Sequence, residues 1–207
     1  MLKLYGAPPS RALRVIWLLN ELGLVRDAPV DILQGETKRQ DFRTLNPAAK
    51  VPVLVDGSLV LTESSAIQLY LADKNPQAGF IPKAVEDRAQ MYRWIFFLVT
   101  EIEQPLWRIA RHTFLYPKEK RLPQDADLAR QECKEMVAVL ERHMQKREFM
   151  VADRLSVADF NAAYTLDWAN EEKMLDRAPR LREYLKSMYA RPTAPPTIAQ
   201  ALAAAKS

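Results

Sequence analysis

From Asn46 to Ser64 the chain reads Asn-Pro-Ala-Ala-Lys-Val-Pro-Val-Leu-Val-Asp-Gly-Ser-Leu-Val-Leu-Thr-Glu-Ser. Pro52 stands immediately before a run of apolar β-formers that ends at Asp56-Gly57, and glycine supplies the positive φ that a two-residue hairpin turn needs. The spacing therefore predicts a hairpin of Val53 to Val55 with Leu59 to Leu61. A proline at a strand mouth cannot donate to the ladder, and an X-Pro bond is the one place where cis geometry is accessible, so Val51-Pro52 reads as a fixed cis turn. Such a turn leaves the Val51 N–H and C=O able to pair with an extended peptide. At the far end, Glu63-Ser64 opens an apolar-periodic run through Ala66, Ile67, Tyr70 and Leu71, the start of a helix whose N–H groups can hold a carboxylate. Backbone pairing in one loop and an anion cradle in the next suit a small peptide with charged ends.

Upstream, Leu2 to Tyr5 reads as a short strand running into Gly6-Ala7-Pro8-Pro9, too rich in proline to continue a ladder or a helix. Ala12, Val15, Ile16, Leu19 and Leu22 then fall on one helical face, with Gly23 placed to end the helix. Val30 to Leu33 makes a second strand, and strand, helix, strand at this spacing predicts a right-handed parallel crossover. Gly35 to Leu45 reads as polar loop and a weak helix. Residues 1–75 are thus expected as a β-α-β-α-β-β-α domain ending near Lys74.

Residues 76–83 hold two prolines and a glycine, the composition of a linker. Residues 84–207 read as an all-α bundle. Val85, Ala89, Tyr92, Phe96 and Val99 form one stripe, while Met91, Trp94, Ile95 and Leu98 occupy other faces. This helix therefore needs cover on more than one side, part of it from a second subunit. Pro105 is expected to kink or end it. A further helix over about Asp125 to Gln145 turns Ala129, Cys133, Met136, Val137, Leu140 and Met144 inward. Ser156-Val157-Ala158-Asp159 has the form of a capping box, and Leu155 with Phe160 stands at the two positions of a hydrophobic staple. Pro179 suits the first turn of another helix, and Ala194-Pro195-Pro196 interrupts the chain before a short alanine-rich tail.

With 207 residues, 48% of them hydrophobic and 27% charged, the chain has the composition of an ordinary globular protein and material for one good core or two small ones. Its longest apolar stretch, Trp94 to Val99, falls far short of the roughly 18 residues a bilayer crossing needs, so no membrane partner is expected. The N-terminus enters a strand without a basic and apolar leader, which makes a cytoplasmic home the expectation. The lone Cys133 excludes an internal disulfide and any Cys-x-x-Cys pair, and reads as a core residue. The net charge of +4 arises from 30 basic residues interspersed with 26 acidic ones, and no basic-aromatic motif accompanies them, so no nucleic-acid partner is expected. His112 and His143 stand apart without a ligand cluster, and no metal site is argued.

Lys50-Val51-Pro52-Val53, Glu63-Ser64, the opening Leu4-Tyr5-Gly6 with Pro9-Ser10-Arg11 and Arg14-Val15, and the later Ser156-Val157-Ala158-Asp159 resemble the cytosolic glutathione S-transferases, bacterial-type and serine-using, over essentially the whole chain. The resemblance implies an α/β thioredoxin-like first domain, an all-α helical second domain, a homodimer, and glutathione as co-substrate. It implies a catalytic Ser10 that hydrogen-bonds the glutathione thiolate. The need is physical: a free thiol with pKa near 8.5 is only about 3% thiolate at pH 7, and lowering it by roughly two units requires about 2.7 kcal/mol of differential stabilisation. A hydroxyl at a helix N-terminus can supply that, although the same hydroxyl equally makes an ordinary cap. Tyr5 is the rival, since other branches of the family use a tyrosine here; its place at the end of an apolar strand reads as packing beneath the site. Ala7 stands where relatives often carry serine.

For the rest of the tripeptide, the resemblance assigns Val51 and Pro52 to backbone pairing, Glu63 to the α-ammonium, Ser64 to the γ-glutamyl carboxylate and Lys50 to the glycine carboxylate. Relatives often have Gly or His before the lysine position, and His where Thr37 stands. A small electrophile is expected between the domains, against Trp107, Arg108, Arg111 and His112, which equally read as surface charge on a loose helix end. The same scaffold can run isomerisation, dehalogenation or peroxide reduction with glutathione, or serve as a non-catalytic binding module.

Overall fold

The computed structural model describes residues 2–24 and 35–205. Strand β1 (Leu2–Tyr5) leads into helix α1 (Ala12–Glu21), and a short helix α2 (Gln40–Leu45) follows a 3₁₀ turn at Glu36–Lys38. Strands β2 (Val53–Asp56) and β3 (Leu59–Leu61) and helix α3 (Ser64–Lys74) complete this part. β2 pairs antiparallel with β1 on one side and with β3 on the other. The strand expected at Val30 to Leu33, and with it the parallel crossover, lies outside the described residues.

The hairpin forms with its turn one residue later than expected. Asp56 pairs with Leu59, so Gly57 and Ser58 are the loop, and Gly57 takes φ +61° at its first position. Asp56 is kept in the strand by α3, whose Tyr70 hydroxyl donates to its carboxylate at 2.8 Å and whose Lys74 forms an ion pair with it. Lys74, then Tyr70, hold the Asp56 carboxyl below its ordinary range.

Every residue of α1 from Ala12 to Leu19 is buried, so this helix is covered well beyond a single face. It stops at Gly23, where φ +63° lets Leu24 N–H reach the Leu19 carbonyl at 2.9 Å. Gln68 of α3 donates to the Arg14 carbonyl of α1 at 2.8 Å.

The chain divides into two compact units: Met1–Ile81 together with Arg191–Ser207, and Pro82–Ala190. The segment after Ala190 groups with the first unit. It returns to the end of α1, where Arg191 Nε and the Thr193 hydroxyl donate to Glu21 Oε1 at 2.8 and 2.6 Å and Asn20 donates to the Thr193 carbonyl. Burial alone would raise the Glu21 carboxyl, but these partners hold it below its ordinary range. The alanine-rich tail forms helix α9 (Ile198–Ala204), started by a reciprocal Thr197–Gln200 capping box.

In the second unit α4 (Val85–Phe97) runs through a π-helical turn at Leu98–Glu103 into α5 (Gln104–Ala110) and a second π-helical stretch at Arg111–Leu115. Pro105 does not end the helix. It lies in the first turn of α5, just past the widened π register, where its missing N–H is accommodated. Met91, Trp94, Ile95 and Leu98 are buried, whereas Val85, Tyr92 and Phe96 are 65%, 36% and 66% exposed.

α6 (Pro123–Met144) buries Ala126, Ala129, Cys133, Val137, Leu140 and Met144 at helical spacing, with Met136 half-buried. Burial pushes the Cys133 thiol up to about 12, so it is an inert core group. α7 (Val157–Glu171) is buried from Val157 to Asp167, and α8 (Pro179–Tyr189) begins with Pro179 in its first turn as expected.

Helices α6 and α8 satisfy each other's ends. The Glu141 carboxylate accepts the N–H groups of Arg180 and Leu181 at 3.0 and 2.9 Å, while the Arg180 guanidinium donates to the carbonyls of Met144 and Arg147. Glu141→Ala removes a buried acceptor from two helix-start donors, and a loss of about 2–3 kcal/mol is expected from urea unfolding. A loss under about half a kcal/mol would mean that water caps α8 equally well.

Candidate functional site

Gly6 ends β1 and lets three segments of the first unit approach one another. A Cβ built there would lie 2.7 Å from Ala12 Cβ, 3.6 Å from Val51 Cβ and 3.7 Å from Pro52 Cα. The start of α1 and the Val51–Pro52 turn are therefore neighbours. The Val51–Pro52 bond is cis, as expected, and so is Pro8–Pro9.

Ser10, two residues before Ala12, is half-buried. Its Oγ accepts the Ala12 N–H at 3.2 Å and donates to the Ala7 carbonyl at 2.7 Å. Ser10 thus caps the opening turn of α1 while its proton is held by the loop that precedes it. The N–H groups of this helix start, together with its dipole, favour negative charge beside the hydroxyl. The Tyr5 ring meets Phe42 edge-on, centroids 6.3 Å apart, and with Phe42 and Leu45 it lines a cavity of about 300 Å³ rimmed by Glu36, Arg39, Asp41 and Thr44.

The loop that carries the turn is organised by Asn46. Its buried side chain donates to the Lys50 carbonyl at 2.8 Å and accepts the Ala48 N–H at 3.0 Å, an Asx-type arrangement that closes residues 46–50 on themselves. Ala49 sits at φ +54°, a left-handed conformation in which glycine is more at ease. The Lys50 side chain is exposed. In the sequence Asn46 carries only the turn signal of the Asn-Pro that opens the loop.

At the start of α3, Glu63 is exposed and held at φ +64°, ψ +109°, a sparsely populated conformation for a residue with a side chain. Ser64 follows, buried, as the first helical residue. Gln68 and Arg14, joined by their hydrogen bond, are each four residues beyond Ser64 and Ser10. Both helix starts therefore stand about one turn from a shared contact.

The second unit treats its four predicted residues unequally. Arg108 donates to Asp125 through Nε and Nη2, at 3.2 and 2.6 Å, and pairs with Glu132. Asp125, then Glu132, push its guanidinium above the ordinary range, and Arg108 in turn holds Asp125 low. His112 accepts the Leu122 N–H on Nδ1 at 3.1 Å and places Nε2 3.2 Å from Asp125. Arg108 of α5 and His112 of the π-helical stretch after it therefore tie this helix to the start of α6, and their polar atoms face protein groups. Arg111 lies over the Trp107 ring at 5.4 Å, and Trp107 meets Trp168 edge-on at 6.3 Å. Among the described residues no group of three or more His, Cys, Asp or Glu is placed to hold a metal ion, and no helix is long and apolar enough to cross a membrane.

Residues 1–73 match the family described as glutathione S-transferase, N-terminal domain, and residues 102–192 match glutathione S-transferase, C-terminal domain. Glutathione S-transferase F9 of Arabidopsis thaliana is 32% identical over 167 residues, covering 77% of this chain and 76% of that protein. Glutathione S-transferase 3 of Zea mays is 31% identical over 209 residues, covering 96% and 93%. Among solved structures, the glutathione transferase URE2P6 from Phanerochaete chrysosporium in complex with oxidized glutathione superposes with a TM-score of 0.84 at 25% identity, over 99% of this chain and 96% of that one.

Proposed function

The chain belongs to the glutathione S-transferase family, and from that premise we propose that it ionises glutathione at Ser10 and transfers it to small electrophiles. The observation that carries this is the Ser10 hydroxyl at the start of α1, bonded to the N–H of Ala12, whose Cβ meets the same Gly6 position as the Val51–Pro52 turn. The Val51 N–H and C=O pair with the cysteinyl part of the tripeptide. Ser64 and the α3 start take the γ-glutamyl carboxylate, Glu63 takes the ammonium, and Lys50 faces the glycine carboxylate. For sulfur to receive the Ser10 proton, the hydroxyl turns away from the Ala7 carbonyl. Its bond from Ala12 N–H persists, because that bond uses an oxygen lone pair.

The test is the ultraviolet absorbance of the bound thiolate, titrated with pH. Binding as proposed places the midpoint roughly two units below that of a free thiol. A bound thiol that titrates like free glutathione sinks the reading.

Asn46→Ala probes the loop. Two hydrogen bonds of a buried side chain disappear, so a stability loss of about 1–3 kcal/mol is expected, with a rise in the glutathione KM and little change in kcat. An unchanged KM would separate the loop from the ligand.

The electrophile meets Trp107 and Arg111, half-buried and stacked on one another, rather than Arg108 and His112, whose polar atoms face Asp125. We place the protein in the cytoplasm as a homodimer, with the exposed Val85, Tyr92 and Phe96 of α4 covered by the second copy. Phe96→Lys is then expected to sediment as a monomer at concentrations where the wild type is dimeric. An unaltered dimer would exclude this face.

A further inference from the structure

We propose that Gly6 is a positioning residue for glutathione: the side chain it lacks sets the separation between the Ser10 end of α1 and the Val51–Pro52 turn. The proposal rests on the reading that these two segments grip one tripeptide. Two carbon atoms sit at ease about 3.5–4 Å apart, and a Cβ at Gly6 would come within 2.7 Å of Ala12 Cβ. It would also touch Val51 Cβ at 3.6 Å and Pro52 Cα at 3.7 Å. Gly23, Gly35 and Gly57 are turn glycines at which a Cβ would meet nothing within 4 Å. Gly6 is of another kind.

None of its neighbours can swing aside. Ala12 has only a methyl group and opens a helix that is buried from Ala12 to Leu19. Pro52 is buried, and Val51 packs against the cluster of Phe42 and Val53. An added methyl therefore forces the start of α1 and the turn apart. The displacement reaches Ser10 directly, because the Ala12 N–H is bonded to Ser10 Oγ. The φ of +154° at Gly6 also disfavours any side chain there. A tripeptide of fixed length that pairs with Val51 and presents its sulfur to Ser10 requires this spacing.

Gly6→Ala, Ala12→Gly and the double variant are compared with the wild type for glutathione KM, kcat with a fixed aryl halide, pH titration of the bound thiol, and melting temperature. Gly6→Ala is expected to raise the glutathione KM at least about tenfold and to move the thiol titration upward, while the aryl halide KM stays within about twofold. Adding Ala12→Gly removes the opposing methyl and is expected to recover at least about threefold of that KM. A role in packing alone lowers the melting temperature and leaves KM and titration unchanged; that outcome overturns the proposal. So does a double variant that binds glutathione no better than Gly6→Ala. Should Gly6→Ala not fold, the double variant is read by itself: a folded protein that binds glutathione supports the proposal, and one that does not fold, or folds without binding, overturns it. A wild type that fails to bind glutathione sinks the ligand reading, whereas a wild type and a Gly6→Ala that bind alike sink only this inference.

Discussion

Asp159→Ala is expected to remove about 4–5 kcal/mol from the stability of the helical unit, about a third or more of the roughly 5–15 kcal/mol a domain has to lose. Asp159 is fully buried, and four donors converge on its carboxylate. Met150 N–H and the Tyr184 hydroxyl reach Oδ1 at 2.8 and 2.9 Å; Ser156 N–H and hydroxyl reach Oδ2 at the same two distances. The capping box is one part of this, since Ser156 caps the N–H of Asp159 in return. The other part is long-range, joining α7 to the segment before it and to α8. Alanine leaves buried donors without an acceptor, each costing about 1–3 kcal/mol, in addition to the lost cap. Equilibrium unfolding in urea, with unchanged m-value, measures the effect. A loss below about 2 kcal/mol would mean that water enters and bonds the orphaned donors.

The same residue predicts a pH dependence. Burial, working against the bonds from Met150, Ser156 and Tyr184, raises the Asp159 carboxyl to about 6 from an ordinary 3.8. Between those values the folded chain holds a proton that the unfolded chain has released. Its contribution to stability is therefore complete below about pH 4 and is lost as pH rises through about 6. Asp159→Asn cannot titrate. The stability advantage of the wild type over that variant is expected to grow by about 1–3 kcal/mol from pH 7 to pH 4. An advantage that shrinks on acidification would show that the four donors keep the carboxylate ionised.

What could be read from the residues divides by range. Ser156 to Asp159, Pro179 and Gly23 announce helix ends through bonds made within a few positions, and they fold as the pattern says. The hairpin was legible, but its turn moved by one residue because Asp56 is drawn into the strand by Tyr70 and Lys74 of α3. Pro105 pointed to a kink or an end because a proline rule assumes an α register; the helix changes register in the π turn just before it and then continues. The meeting of Arg191 and Thr193 with the end of α1 had no local sign, since Arg191 reaches Glu21 across 170 positions. Thr197-x-x-Gln200 did carry a capping signal for α9 that the alanine-rich composition obscured. At the site, Ser10, Val51-Pro52 and Glu63-Ser64 each sit at a strand or helix end, where a sequence speaks plainly. Arg108 and His112 were ambiguous for a physical reason: the sequence shows two polar side chains but not that Asp125, Glu132 and the Leu122 N–H already face them.

Ser10→Ala is the decisive substitution for the chemistry. If Ser10 and the α1 start lower the bound thiol to roughly 6.5, about three quarters of it is ionised at pH 7; at an unassisted 8.5 about 3% is. With the thiolate as nucleophile, kcat/KM at pH 7 is expected to fall by up to about 25-fold, the limit reached when Ser10 supplies the whole of the lowering. The loss is a deficit of ionisation, so it disappears as pH supplies the missing thiolate. Near pH 9.5 the variant is expected within about threefold of the wild type. Loss of the cap also lowers stability by about 1 kcal/mol, which a melting curve reads independently of the rate. A rate deficit that persists unchanged to high pH would mean that Ser10 orients the tripeptide without ionising it. Tyr5→Phe supplies the contrast. The Tyr5 ring is set edge-on against Phe42, so removing its hydroxyl is expected to leave the pH profile where it was. A profile that shifts with Tyr5→Phe and not with Ser10→Ala would transfer the thiolate to the tyrosine.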